Sequence, residues 1–179
     1  MRVAFAADHG GAALKDELLG RLRTDPGGPP RTDELSDQLI DLGGDGSDPT
    51  DDYPDFAVRI GRAIQGGAAD RGVLVCGSGV GASVAACKMT GIRASVCHDT
   101  YSAHQGVEHD DMNVLCLGGR IVGIELALEI VRAYLGAEFT NEPRHRRRVD
   151  KVLAIEAAQG DPRPAVSRAG RQTTGGDDR

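Results

Sequence analysis

Tryptophan is absent from these 179 residues, and tyrosine and phenylalanine number only three each. So few rings cannot furnish the stacking platforms that hold single-stranded nucleic acid. Positive charge is also in the minority. The 21 Lys and Arg against 27 Asp and Glu give a formal net charge of −6, the reverse of a nucleic-acid footprint. No apolar run approaches the roughly 20 residues needed to cross a bilayer. Nor does a charged start lead into the long apolar segment of a secretory signal. A cytoplasmic protein without nucleic-acid or membrane partners is therefore expected. Cys76, Cys87, Cys97 and Cys116 show no CxxC spacing, which argues against a zinc knuckle or a thioredoxin-type pair. In a reducing compartment all four are expected as free thiols.

What the chain does have is concentrated in residues 72–88, GVLVCGSGVGASVAACK. Val73-Leu74-Val75 suits one buried strand of a parallel sheet. Cys76 ends it, and Gly77-Ser78-Gly79-Val80-Gly81 leads into a small-residue helix over 82–89. In open α/β sheets the crevice beyond the strands' carboxyl ends holds the ligand. Alternating glycines let backbone approach that ligand closely. A thiol near the N–H groups of a helix start ionises more readily than a free one.

The remainder alternates between strand and helix. Residues 2–7 read as a strand, Asp8-His9-Gly10-Gly11 as its closing turn and 12–23 as a helix. Asp8 is either a helix cap or a site residue, and His9 either a plain loop residue or a site residue. Residues 24–37, TDPGGPPRTDELSD, form an unusually long loop for this class. A strand over 39–42 follows, then an acidic stretch, 43–52, that lacks calcium-loop register and reads as solvated. Pro54 suits the first turn of a helix over 55–65. Tyr53 at its start either packs or reaches a ligand. Beyond the glycine loop come a strand over 92–97 closed by His98-Asp99 and a helix over 100–108 with Thr100 as cap. A polar turn over 109–113 leads to a strand over 114–117, closed by Gly118-Gly119-Arg120. Helices over 123–135 and 143–158 complete the domain, and 159–179 reads as a disordered tail.

Five strands, each followed by a helix, predict an α/β fold for 1–158: a three-layer α/β/α sandwich around a mainly parallel five-stranded sheet, with an extra C-terminal helix. Asp8, His9, Cys76, Arg120 and the His98-Asp99 pair all fall at carboxyl ends of strands and can share one crevice.

Two chemistries compete for the glycine loop. Gly77-x-Gly79-x-x-Ala82 matches the dinucleotide fingerprint, with Asp99 roughly 20 residues on, which would make the chain an NAD-binding oxidoreductase. However, the loop follows the third strand, and a cysteine before the first glycine has no role in holding a pyrophosphate. The second chemistry is proton transfer on a small phosphorylated sugar. A Cys76 thiolate can serve as the base, with N–H groups from Gly77 to Gly81 facing the enediolate oxygens. His109 can open a cyclic sugar. Arg144 and Arg148, four apart on one helix face, either clamp a phosphate or form a solvated basic turn.

The segments AADHGG (6–11), DYP (52–54), VCGSGVGASVAACK (75–88), GIRA (91–94), YSA (101–103), EHDDMNVLCLGGR (108–120) and RHRRR (144–148) together resemble the ribose-5-phosphate isomerase B family, which includes galactose-6-phosphate isomerase subunits and relatives acting on allose and tetrose phosphates. The resemblance covers about residues 1–158. It implies a Rossmann-like sandwich, no metal or nucleotide cofactor, and a homodimer that in some members pairs into tetramers, each active site being built from two subunits. By position it makes Cys76 the proton-abstracting base, His109 the ring-opening acid and Ser78 a residue contacting substrate in the loop from Gly77 to Gly81. It places Asp8 and His9 at substrate-binding positions and Arg120, Arg144 and Arg148 at phosphate contacts. One branch of the family uses a Glu where this chain has Ala82, which cannot titrate. Asp110 stands where many members carry a substrate-binding Asn, and Cys87 replaces a common Asn. These departures leave the sugar open among ribose 5-phosphate, allose 6-phosphate, galactose 6-phosphate and a tetrulose phosphate. A sugar-phosphate-binding regulator without turnover has no need of a base at Cys76 or an acid at His109.

Overall fold

The computed structural model describes residues 1–24 and 38–159. The long loop expected up to residue 37 and the tail expected after residue 159 lie outside the described residues.

The five strands are β1 (Val3–Ala7), β2 (Leu39–Asp41), β3 (Arg71–Cys76), β4 (Ala94–Val96) and β5 (Val114–Gly118). They form one sheet in the order β2-β1-β3-β5-β4, with every pairing parallel. Among the described residues the helices are α1 (Ala12–Thr24), α2 (Tyr53–Gln65), α3 (Val80–Ala86), α4 (Thr100–Asp110), α5 (Ile124–Gly136) and α6 (Pro143–Gln159).

Side chains alternate across a strand, so each strand feeds two cores. Val3, Phe5, Val73, Val75, Leu115 and Leu117 pack on one face beneath α1, α4 and α5, which contribute Leu18, Val107 and Ile130. Ala4, Ala6, Leu74, Cys76 and Cys116 pack on the other face against Phe56 and Ile60 of α2 and Ala82 of α3. This two-sided burial is why the strands read as continuous apolar runs. At the β2 edge, buried Lys15 of α1 reaches both Asp41 oxygens at 2.9 Å.

Several boundaries move from their expected places. β3 starts at Arg71 and includes Cys76, so the thiol is the strand's last residue. β4 shrinks to three residues. Val80 and Gly81 belong to the first turn of α3 and not to the preceding loop; the left-handed turn comes earlier, at Gly79 (φ 80°). Asp99, not Thr100, caps α4, its carboxylate accepting from Ser102 N at 2.6 Å. α4 then runs through His109 and Asp110, because its chain reversal waits for Asp111 in the left-handed region (φ 52°).

β1 and β3 are neighbours, yet the chain leaves β1 into α1 on one face and β3 into α3 on the other. That divergence opens a crevice at their carboxyl ends.

Candidate active site

The crevice is a cleft of about 340 Å³ lined by Asp8, Tyr53, Cys76, Gly77, Ser78, Gly81, Arg120 and Ile121. Cys76 is held at its floor by the strand, 4% exposed, and its Sγ accepts from Gly79 N at 3.1 Å. That donor exists because Gly79 takes a left-handed conformation open to glycine at little cost. Gly11 lets the β1 turn press against β3: a Cβ there would lie 2.4 Å from Val75 O. Arg120 closes one wall, its N donating to Gly77 O at 3.1 Å and its guanidinium lying over Gly77. Tyr53 lies against Gly81, so the cleft-lining place for its ring comes from a missing side chain. Burial raises the thiol pKa of Cys97 and of Cys116, which suits them to core packing rather than to proton transfer.

Asp8 is buried, and its Oδ1 has no hydrogen-bond partner. Burial pushes its carboxyl above the ordinary carboxylate value, against the opposing charge of His9. His9 is exposed on the same turn, with Asp51 Oδ1 accepting from its N at 2.8 Å and sitting 2.7 Å from its Nδ1. The hydrogen bond to Asp51 raises the His9 pKa. His98 and Asp99 do not serve the crevice. His98 Nε2 accepts from Gly118 N at 3.1 Å, and Asp99 is the α4 cap. That engagement also removes Asp99 as the ribose-binding acid of a dinucleotide site. Among the described residues no three His, Cys, Asp or Glu side chains converge as ion ligands.

The other expected site residues stand at the opposite end of the sheet. Register pairs Gly72 with Val114 and Cys76 with Gly118, which separates the two ends of the sheet by roughly 13 Å at about 3.3 Å per residue. α4 runs from the carboxyl end of β4 to the amino end of β5, carrying His109 and Asp110 away from Cys76. There His109 meets α6: its ring lies 4.0 Å from that of His145, tilted by 33°. His145 is 1% exposed, and its Nδ1 lies 2.6 Å from Thr140 Oγ1. Arg144 and Arg148 are exposed on the same helix, Arg144 donating to Glu142 at 2.9 Å. Asp110 lines a separate groove of about 580 Å³ between β4, α4 and α6, along with apolar Val149, Val152 and Leu153. That groove is larger than the Cys76 cleft, but it holds neither the thiol nor the glycine loop.

Residues 3–152 match the Ribose/Galactose Isomerase family. The chain belongs to that family. Ribose-5-phosphate isomerase B of Escherichia coli is 44% identical over 155 residues, 87% of this chain and 96% of that protein. D-erythrulose-4-phosphate isomerase 2 of Mycolicibacterium smegmatis is 35% identical over 88% of this chain and 99% of its own length. Among solved structures, Clostridium thermocellum ribose-5-phosphate isomerase B superposes with TM-score 0.77 at 41% identity, over 89% of this chain and 99% of that one. Ribose-5-phosphate isomerase B of Mycoplasma genitalium with bound ribulose-5-phosphate superposes with TM-score 0.75 at 34% identity, over 87% and 96%. This member of the isomerase family is accordingly a sugar phosphate isomerase, and the oxidoreductase and non-catalytic regulator alternatives fall.

Sequence reasoning missed three residues of these two clusters. Ile121 directly follows Arg120 and lines the cleft. His145 sits inside the RHRRR run, and its burial with Val149 one turn on marks it as the inward face of a basic helix. Asp51 was hidden in an acidic stretch that reads as solvent-facing.

Proposed function

We propose that this isomerase interconverts ribose 5-phosphate and ribulose 5-phosphate through an enediolate, without metal or nucleotide. The observation that carries the mechanism is Cys76, buried at a strand end beneath a glycine loop and accepting from Gly79 N. As thiolate it takes the proton from C2 of the open-chain aldose and returns it to C1. The C2–H pair forms a C1=C2 bond as the carbonyl pair moves to O1; a proton then passes from O2 to O1, and the O2 pair closes the C2 carbonyl as C1 takes the proton back. Ser78 and backbone N–H groups of the loop face the two oxygens that carry the developing charge. His109 donates to the ring oxygen and accepts from the anomeric hydroxyl to open the furanose. Asp8, Tyr53 and Asp110 bind the sugar, while Arg120, Arg144 and Arg148 receive the phosphate.

One chain places Cys76 and His109 at opposite ends of the sheet. This supports a homodimer in which one protomer supplies the thiol and its partner supplies His109 and the arginines. The ribose preference is supported by the Escherichia coli relative and the ribulose-5-phosphate complex. Parallel turnover assays on ribose 5-phosphate, allose 6-phosphate and erythrulose 4-phosphate, without added metal or nucleotide, test the reading. Conversion of the ribose substrate well above the others is expected. Conversion of only another sugar overturns the ribose assignment and makes Asp110 the first candidate for the switch.

A further inference from the structure

The acidic stretch 43–52 looks uniform in sequence, but its carboxylates have different tasks. Asp45 accepts from Ser47 N, and Asp48 accepts from both the N and Oγ1 of Thr50. These bonds shape the loop locally. Asp52 occupies the N-cap position of α2 without a side-chain capping bond. Asp51 instead reaches 42 residues back along the chain. Its Oδ1 accepts from His9 N at 2.8 Å and lies 2.7 Å from His9 Nδ1, and its side chain is 14% exposed. Two residues on, Tyr53 lines the Cys76 cleft.

A carboxylate can only accept, so His9 Nδ1 is the donor in this pair. That leaves Nε2 as the nitrogen able to meet a ligand. Building on the isomerase reading above, we propose that Asp51 is a positioning residue: it fixes which ring nitrogen of His9, the chain neighbour of cleft-lining Asp8, is left for a ligand and supplies the counter-charge to its imidazolium, so that the β1 turn offers a charged N–H donor to the substrate phosphate. A sugar phosphate carries one anionic group before reaction, and an imidazolium donor adds Coulombic attraction to its hydrogen bond with that group. The groups facing His9 are Asp51 and Asp48 from the acidic loop and Asp8 from its own turn. All three are acids, and all favour the cation. The raised His9 pKa agrees, with the Asp51 hydrogen bond as its largest cause.

Asp51→Asn keeps an acceptor for both His9 donors and removes only the charge. The His9 ring is followed by NMR across pH in the full chain, with its signal assigned by loss in His9→Gln, and steady-state kinetics are measured in parallel. In Asp51→Asn the His9 midpoint should move to lower pH. KM for ribose 5-phosphate should rise about fivefold near pH 7.5 with kcat nearly unchanged, as expected for lost ground-state binding. The penalty should shrink as pH falls and His9 recharges, and Asp51→Glu should restore part of it. If the His9 midpoint does not move, or if kcat falls while KM holds, Asp51 merely braces the loop and the proposal is overturned. Should Asp51→Asn not fold, Asp51→Ser, which keeps a neutral acceptor, takes its place in both arms. Wild-type protein that turns over no sugar phosphate would overturn the isomerase reading, while the NMR arm would still decide the role of Asp51.

Discussion

His109 and His145 stack with ring centroids 4.0 Å apart, where the end of α4 meets the start of α6. Thr140 Oγ1 donates to Glu108 O at 3.1 Å, which commits its single proton. His145 Nδ1 must therefore donate to Thr140, and its Nε2 is buried without a partner. His145 thus reaches His109 as a fixed ring whose burial disfavours the charged form. Replacing His109 with Asn should slow turnover of cyclic sugars far more than that of open-chain ones. Equal losses on both would refute its ring-opening role.

The same pair gives a pH signature. Burial, with the charge of His109 and Arg144 behind it, lowers the His145 pKa. The unfolded chain then binds this proton more readily. Stability from His145 is therefore complete above the ordinary histidine value of about 6.5 and is lost as pH falls through the lower folded value. His9, whose pKa is raised, has the opposite slope. Urea midpoints compared at about pH 7 and about pH 5.5 should differ less in His145→Asn than in wild type. An unchanged difference would show that His145 charges as easily folded as unfolded.

Removing the thiol tests the proposed role of Cys76. Cys76→Ala should lower kcat by about 10²–10⁴-fold, the usual contribution of a positioned base, and leave circular dichroism and thermal midpoint near wild type, because one sulfur is lost from a packed alanine-rich face. Residual activity within about tenfold of wild type would displace Cys76 from the role.

Mixing separates one-chain from two-chain sites. Cys76→Ala and His109→Asn variants should each be nearly inactive on ribose 5-phosphate. Co-refolded in equal amounts, they should recover about a quarter of wild-type activity, because half the dimers are mixed and each mixed dimer holds one intact site. No recovery would mean that Cys76 and His109 act from the same chain.

Two glycines should respond differently to the same added methyl. In Gly11→Ala the Cβ would meet Val75 O at 2.4 Å and Val75 C at 2.5 Å. Backbone cannot yield there, so a loss of about 1–3 kcal/mol in urea unfolding is expected. In Gly81→Ala the Cβ would meet the exposed ring of Tyr53 at 2.7 Å, which can swing aside. Stability should hold while KM rises, since Tyr53 leaves the cleft. Matching stability losses would contradict this distinction.

Sequence alone determined what is local. Apolar runs of strand length between amphipathic stretches specify an alternating α/β chain, because both periodicities are set by the backbone over a few residues. Cys76 and its glycine loop are contiguous, so their strand-end placement was legible, as were the ordered motifs that mark the family. Tertiary structure alone decided the strand order, which depends on helices choosing faces of a common sheet. It alone parted His109 and Arg144 from Cys76, because the direction in which α4 returns across the sheet leaves no trace in composition. It also tied His98 to Gly118 and Asp51 to His9. Such polar contacts join residues 20 and 42 positions apart and repeat with no period, so they become visible only once the chain is folded.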